Sequence, residues 1–198
     1  MKHRLFVAIN PPPEVLDHIG QLQRELDKLK LPIKWNPLDK IHITLAWLGH
    51  LPAEEVARMR GIVANTARQF RAHQLQPVAI DTMYQRHEPS LVYLLLADPE
   101  GELAALQKEL TRKVDEITPQ PRQKFLLHIT IGWVLKSDPT RVKHTLDEID
   151  KVEMEPWPKF SVTQMTLYES FSTKAGSSYS RMGSFNLGNR VSELAEVS

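Results

Sequence analysis

Apolar positions along this chain alternate between short strand-like runs and longer stretches with helical spacing. Apolar residues that recur every three or four positions predict four helices, at residues 13–30, 53–72 and 101–117 and from residue 138 onwards. Short runs rich in apolar and β-branched residues predict strands at 5–9, 41–48, 75–84, 91–97, 125–135, 160–168 and 179–187, with a short extended piece at 33–35. The polar stretches 85–89 and 172–178 predict connecting loops. The order is therefore β-α-β-α-β, the same again, and one extra strand.

One predicted strand occurs twice. Residues 41–48 read I-H-I-T-L-A-W-L, and residues 127–134, which lie 86 positions further on, read L-H-I-T-I-G-W-V. The same offset aligns the strand near Leu5 with the one near Leu91. We therefore predict an α+β fold with two pseudo-symmetric lobes of antiparallel sheet, helices on the outer faces and a central groove. Residues 1–188 are expected to form a single domain, and residues 189–198 a frayed polar tail.

Strand geometry sorts each repeat into two faces, because successive side chains alternate sides. His42, Thr44 and Ala46 are predicted on one face, and Ile43, Leu45 and Trp47 on the face that packs against helices. The second copy repeats this division, with His128, Thr130 and Gly132 opposite Ile129, Ile131 and Trp133. The small residues Ala46 and Gly132 would leave room for a ligand.

The two polar faces carry the elements of acid–base chemistry. An imidazole titrates near pH 6.5, so one of a pair is able to accept a proton while the other donates one. Two such rings in one groove are suited to metal-free hydrolysis of a phosphate ester, with His42 and His128 as the acid–base pair. The hydroxyls of Thr44 and Thr130 are suited to holding the phosphate oxygens. Duplication of a packing motif without catalytic function is the structural alternative.

Composition narrows the class of protein. The chain of 198 residues, 41% hydrophobic and 25% charged, is typical of a globular protein, and a net charge of +1 argues against a general nucleic-acid binder with a large basic field. There is no cysteine, and neither repeat has a carboxylate or second histidine at metal-ligand spacing, so we expect no metal and no cofactor. The absence of a signal peptide pattern and of a long apolar stretch predicts a cytoplasmic protein.

A family resemblance covers the chain from end to end. R-L-F-V-A-I-N-P-P at its start, I-K-W-N-P-L-D-K-I-H-I-T-L-A-W-L-G at 33–49, L-L-H-I-T-I-G at 126–132 and M-T-L-Y-E-S-F-S-T-K-A-G-S-S-Y-S-R-M at 165–182 resemble the first strand, the two H-x-T-x motifs and the closing hairpin of the 2H phosphoesterase superfamily. Within that superfamily, the chain is similar to the RNA 2′,3′-cyclic phosphodiesterases once called 2′-5′ RNA ligases.

The resemblance implies an RNA 2′,3′-cyclic 3′-phosphodiesterase that leaves a 2′-phosphate. His128 would accept a proton from water, His42 would donate one to the ribose 3′-oxygen, and Thr44 and Thr130 would bind the phosphate. The substrate would be an RNA or oligonucleotide end, and we expect a monomer. The reverse reaction would join RNA ends as a 2′-5′ ligase. A non-catalytic module that binds RNA ends or nucleotides, and a phosphodiesterase for another small cyclic phosphate, remain as alternatives.

The chain departs from the family pattern at two positions. Family members often have proline before the second histidine and a phosphate-binding arginine five residues after it, where this chain has Leu127 and Trp133. Candidates for the missing cation or for a base-stacking ring are side chains near the motifs: Arg86, Lys124 and Arg181, and Trp35 and Tyr84.

Overall fold

The computed structural model of this protein describes residues 2–85, 88–119, 124–136, 138–154, 157–174 and 176–188, without the side chains of 84, 85 and 88–90. The expected tail, 189–198, lies outside the described residues. The strands are β1 (Lys2–Ile9), β2 (Ile33–Trp35), β3 (Ile43–Pro52), β4 (His73–Gln85), β5 (Glu88–Ala97), β6 (His128–Val134), β7 (Phe160–Val162), β8 (Gln164–Thr173) and β9 (Gly176–Asn186). The helices are α1 (Pro13–Asp27), α2 (Ala53–Ala67), α3 (Glu102–Asp115) and α4 (Pro139–Asp150).

These strands form two antiparallel sheets. Sheet A has the order β3-β1-β8-β9, and sheet B has the order β2-β6-β5-β4-β7. Strands β3 and β6, which carry the two repeats, approach each other between the sheets. The predicted α+β architecture with two antiparallel sheets and four helices is thereby confirmed.

The duplication is visible in the strand register as well as in the sequence. In sheet A, Val7 lies opposite Ala46 and Ala8 opposite Thr44, so that Leu45 is an extra residue in β3. In sheet B, Val92 lies opposite Gly132 and Tyr93 opposite Thr130, so that Ile131 is an extra residue in β6. Each repeat therefore contains a β-bulge at the residue that follows its threonine.

The two halves of the chain exchange strands. Strand β4 belongs to the first half of the sequence but pairs with β5 in sheet B, and β8 belongs to the second half but pairs with β1 in sheet A. The predicted strand 160–168 is also divided, because β7 pairs with β4 whereas β8 pairs with β1 and β9. A pattern of apolar residues specifies each strand but not which sheet it joins, so the crossing at Thr163 could not be predicted.

Helices cover the outer faces of both sheets. Helix α2 packs on β1, β3, β8 and β9, and α4 packs on β4. Asp138, where the sequence predicts the start of this helix, caps α4: its side chain accepts a hydrogen bond from the backbone N–H of Arg141 at 3.0 Å. Helices α1 and α2 end earlier than predicted, at Asp27 and Ala67. None of the helices in the described ranges is long and apolar enough to cross a bilayer.

Candidate active site

His42 and His128 are anchored in the same way. His42 immediately precedes β3, and His128 is the first residue of β6. The Nδ1 atom of His42 lies 2.8 Å from the carbonyl oxygen of Lys40, and that of His128 lies 2.7 Å from the carbonyl oxygen of Leu126. Because a carbonyl only accepts hydrogen bonds, each Nδ1 must carry the proton. The Nε2 atom of each ring is therefore left for the exchange of protons with a ligand.

The two imidazoles interact electrostatically. Burial lowers the pKa of His42, the hydrogen bond to Lys40 partly opposes this effect, and the charge of His128 lowers the pKa further. In the free protein this environment favours the neutral form of His42. The two repeats therefore place their histidines near enough for the charge of one ring to influence the other.

Aromatic rings orient each histidine. The ring of Tyr179 stands edge-on to His42 at 5.4 Å between centroids, and Tyr93 stands edge-on to His128 at 5.5 Å. The Tyr93 hydroxyl donates a hydrogen bond to the carboxylate of Asp81 at 3.0 Å, and burial together with Asp81 raises the pKa of Tyr93 to about 12. Tyr93 therefore remains a neutral phenol that supports the histidine by packing.

A cavity of ≈ 200 Å³ adjoins His42. Tyr168 and Tyr179 form aromatic parts of its wall, and the Tyr168 hydroxyl donates to the side-chain oxygen of Asn10 at 3.0 Å. The residues that line the cavity are Asn10, Asp39, Lys40, Ile41, His42, Tyr168, Ser178 and Tyr179. The cavity therefore offers polar and aromatic groups next to His42. Among the described residues, no three histidine or carboxylate side chains are grouped so that they would hold a metal ion.

The threonines follow the histidines on the same face, as predicted. Thr44 lies opposite Ala8 on β1, and Thr130 lies opposite Tyr93 on β5, while Ile43 and Ile129 are fully buried on the opposite face. Opposite residues in a ladder share a face, so Thr130 lies on the face of β6 from which Tyr93 supports His128. Both threonine side chains are partly exposed.

The bulges reverse the predicted faces beyond the threonines. Trp47 is 44% exposed and lies opposite Phe6, whose ring contacts both Trp47 and His42. Trp133 is 45% exposed at the corresponding place in β6. The prediction that both tryptophans belong to the packing face is wrong, because one extra residue in each strand shifts the alternation by one position.

The small residues lie on the opposite face from the one predicted for them. Ala46 packs against the hydrophobic core. At Gly132, an added Cβ atom would lie 2.8 Å from side-chain carbons of both Ile33 and Trp35. The space beside Gly132 is therefore filled by protein, and the expectation that these two residues make room for a ligand is wrong.

The same contact decides the place of Trp35. Its ring covers Gly132 on the core-facing side of sheet B, and its indole N–H donates to the Asp27 carboxylate of α1 at 3.3 Å. Trp35 is therefore a packing residue rather than a base-stacking ring of the groove. Its neighbour Asn36 contacts the second motif instead: the Asn36 amide donates to the Thr130 carbonyl and its oxygen accepts from the Trp133 indole, each at 3.0 Å.

The remaining candidates for the missing cation and for a base-stacking ring lie at different places in the chain. Arg181 is exposed on β9 opposite Tyr168, and Lys124 is exposed four residues before His128. Arg86 and the side chain of Tyr84 lie outside the described residues. Sequence reasoning did not identify Arg4, whose guanidinium lies 5.4 Å from the centre of the Trp47 ring on the groove face. The signal for Arg4 was its spacing of two from Phe6 on one strand, which became informative only once that face was known.

Comparisons with known proteins agree with this geometry. Residues 6–171 match the family model described as the 2′-5′ RNA ligase superfamily. The chain is 24% identical to the RNA 2′,3′-cyclic phosphodiesterase of Methanothermobacter thermautotrophicus over 189 residues, covering 94% of this chain and 100% of that protein. The corresponding enzyme of Archaeoglobus fulgidus is 23% identical over 176 residues, covering 89% of this chain and 96% of that protein.

Solved structures share the fold. The protein TT0787 of Thermus thermophilus superimposes with a TM-score of 0.78 at 22% identity, covering 94% of this chain and 99% of that one. E. coli LigT complexed with 3′-AMP superimposes with a TM-score of 0.75 at 21% identity, with the same coverage. The family model spans both repeats, and the fold of these structures extends over nearly the whole chain. On this evidence, the protein belongs to the 2′-5′ RNA ligase superfamily.

Proposed function

We propose that this protein hydrolyses the 2′,3′-cyclic phosphate ends of RNA to 2′-phosphates. The observation that carries the proposal is the matched anchoring of His42 and His128, which leaves an Nε2 atom free on each of two electrostatically coupled rings. Relatives named RNA 2′,3′-cyclic phosphodiesterase, which align over most of the chain, support the choice of substrate.

The proposed reaction needs one base and one acid. Neutral His128 takes a proton from water through Nε2, and the water oxygen forms a bond to phosphorus. The bond between phosphorus and the ribose 3′-oxygen breaks, and protonated His42 gives its Nε2 proton to that oxygen. The products are a 2′-phosphate and a 3′-hydroxyl, and the two rings have exchanged protonation states, which solvent then restores.

The negative charge of the bound phosphate favours the protonated form of His42 that the reaction requires. The pKa of His42 is lowered in the free protein by burial and by His128. A bound phosphodiester anion opposes both causes, because a nearby negative charge favours the imidazolium form. Thr44 and Thr130 donate hydrogen bonds to the non-bridging oxygens, where negative charge is held during displacement. All these groups are side chains of the protein, so the reaction as proposed does not need a metal ion.

The same arrangement is suited to the joining of RNA ends. If the 5′-hydroxyl of a second RNA replaces the attacking water, it gives its proton to His128 and its oxygen attacks the cyclic phosphate at phosphorus. The bond to the 3′-oxygen breaks, and that oxygen takes a proton from His42. The product is then a 2′-5′ phosphodiester. This ligase activity uses no further catalytic group, and it is expected only when RNA 5′-hydroxyl ends are present at high concentration.

The test is incubation with an oligonucleotide that ends in a 2′,3′-cyclic phosphate, with identification of the product end. We expect a 2′-phosphate, unchanged turnover in EDTA and a loss of kcat/KM of about 10²–10⁴-fold in His42→Gln and in His128→Gln. The matched control is His50→Gln, since His50 is exposed on the same strand. Binding without any product would indicate a binding module, and turnover of other cyclic phosphates alone would indicate a different substrate. Full activity in either histidine variant would refute the mechanism.

A further inference from the structure

Two exposed tryptophans occupy corresponding places beyond the two H-x-T motifs. Trp47 and Trp133 each follow the motif threonine by three residues, and they are 44% and 45% exposed. The β-bulges at Leu45 and Ile131 turn the two rings onto the strand faces that carry Thr44 and Thr130. Most large apolar side chains of the described residues are buried, so two equivalent exposed indoles beside one site require an explanation.

Each indole is fixed by contacts that leave part of its surface open. The ring of Trp47 packs on Phe6 at 4.9 Å between centroids. The indole N–H of Trp133 donates to the side-chain oxygen of Asn36 at 3.0 Å, and Asn36 is itself held by its hydrogen bond to the Thr130 carbonyl. Both rings are therefore held in place before any ligand binds, which reduces the entropy lost on stacking.

A cation accompanies each indole on the same face. The guanidinium of Arg4 lies 5.4 Å from the centre of the Trp47 ring. Lys34 lies opposite Trp133 in the ladder between β2 and β6, so the two side chains share a face. Neither cation forms an ion pair with a carboxylate in the described ranges. Both are thus available for phosphate groups, although the net charge of the whole chain is only +1.

Aromatic rings combined with cations are the usual means of binding single-stranded nucleic acid. Bases stack on the rings whatever their identity, and Lys and Arg follow the backbone phosphates. Because of the bulges, the segment from each threonine to its tryptophan lies opposite only two residues of the partner strand. That length is roughly 7 Å, so each indole lies about one nucleotide away from the threonine that would hold the reacting phosphate. A flexible single strand would meet this spacing more readily than a stiff duplex.

We propose that Trp47 and Trp133 are stacking platforms for bases of single-stranded RNA next to the cyclic end, with Arg4 and Lys34 holding the neighbouring phosphates. This proposal rests on the proposed function and specifies its substrate class. The preferred substrate is an RNA end of two or more nucleotides, rather than a free nucleoside 2′,3′-cyclic phosphate. The protein would then be an RNA-end enzyme by virtue of side chains outside its acid–base pair.

The experiment compares two substrates, adenosine 2′,3′-cyclic phosphate and an oligoadenylate of four nucleotides with the same end. The quantity measured is the ratio of kcat/KM for the oligonucleotide to kcat/KM for the mononucleotide. We expect Trp47→Ala and Trp133→Ala each to lower this ratio by about tenfold, since one stacked base contributes about that factor. Trp47→Phe and Trp133→Phe should restore most of it. The control is Val78→Ala, because Val78 is equally exposed at 45% but lies on β4, which pairs with neither of the two motif strands.

A binding measurement separates this proposal from the proposed function. An oligoadenylate with a 2′-phosphate end, which is not hydrolysed, should quench indole fluorescence in the wild-type protein and bind about tenfold more weakly to each alanine variant. If the wild type hydrolyses nothing yet binds in this tryptophan-dependent way, the proposed hydrolase function is refuted and base stacking on Trp47 and Trp133 is supported. If hydrolysis occurs with an unchanged ratio in both variants, or with binding as tight as in the wild type, the platforms are refuted.

Discussion

The side-chain amide of Gln23 donates a hydrogen bond to the carbonyl oxygen of Ile131 at 3.0 Å. Gln23 is buried on α1, and Ile131 is the bulged residue that follows Thr130. A bulge removes a residue from the regular ladder and leaves its polar groups without their usual partners. The helix therefore compensates for the irregularity that shapes the second motif.

The first motif has an equivalent contact. The amide of Gln107 on α3 donates to the carbonyl oxygen of Leu45 at 3.3 Å and to the Thr111 hydroxyl at 3.0 Å. Leu45 is the bulged residue after Thr44. In each repeat, a glutamine of a helix thus donates a hydrogen bond to the carbonyl of the bulged residue. This arrangement suggests that the bulge, and not only the H-x-T sequence, is part of the duplicated unit.

We predict that replacing Gln23 by leucine destabilises the protein. Leucine keeps the apolar contacts of the side chain but withdraws the amide donor. The substitution removes the hydrogen bonds to the carbonyl oxygens of Ile131 at 3.0 Å and of Asn36 at 2.9 Å. The Ile131 carbonyl keeps its bond from the Asn36 N–H at 2.9 Å, so the expected cost is about 1–3 kcal/mol. The measurement is the midpoint of urea unfolding at constant m-value. Gln21→Leu is the control, because Gln21 is exposed on the same helix. An equal effect of both substitutions would show that the hydrogen bond does not matter.

Two glycines are predicted to respond oppositely to alanine. At Gly132 the new Cβ atom would lie 2.8 Å from side-chain carbons of Ile33 and Trp35, so these packed side chains must shift, at a cost of about 1–3 kcal/mol. At Gly61, in α2, nothing lies within 4 Å, and alanine should stabilise the helix by about 0.5–1 kcal/mol. Thermal unfolding of both variants measures the contrast. A harmless Gly132→Ala substitution would mean that Trp35 does not fill this space.

The titration of His42 is predicted to lie below that of an ordinary histidine. Burial is the largest cause, and the charge of His128 acts in the same direction, so the pKa of His42 should lie below 6.5 in the free protein. Two changes should raise it: His128→Gln, which removes the neighbouring charge, and inorganic phosphate, which favours the imidazolium. By linkage, phosphate affinity should fall as the pH rises through the pKa of His42.

The measurement is the NMR titration of the imidazole proton signals, assigned by their loss in His42→Gln. His50, exposed on β3, serves as an internal reference in the same spectra. A pKa of His42 above 6.5 without phosphate would contradict the electrostatic description of the site. An unchanged value in His128→Gln would show that the two rings are too far apart to act as a pair.

Sequence patterns predicted the part of the site that depends on local geometry. His42 and Thr44 are two positions apart, as are His128 and Thr130, and alternation within a strand places each pair on one face before the bulge begins. The fully buried Ile43 and Ile129 confirm the opposite face. The pairing of the two repeats could also be predicted, because an offset that recurs over several elements indicates duplication.

The features beyond each threonine could not be predicted in this way. A bulge is a relation between two strands, and the letters of β3 alone do not show that Val7 and Ala8 pair with positions separated by Leu45. One unrecognised extra residue changed the expected faces of Trp47 and Ala46. The role of Trp35 depends on which edge of sheet B the short β2 joins, and that is decided by its pairing with Gly132.

The threonine hydroxyls provide the last prediction. Thr44→Val and Thr130→Val preserve side-chain shape in the strands but remove a donor to phosphate oxygens, so kcat/KM for a cyclic-phosphate end should fall on the order of 10- to 100-fold in each. The control is Thr66→Val, since the buried Thr66 hydroxyl has no hydrogen-bond partner among the described residues and its removal should leave turnover unchanged. Thermal unfolding checks that all three variants fold. If Thr44→Val and Thr130→Val turn over like Thr66→Val, the hydroxyls do not bind the reacting phosphate, and its charge must be held by other groups of the groove.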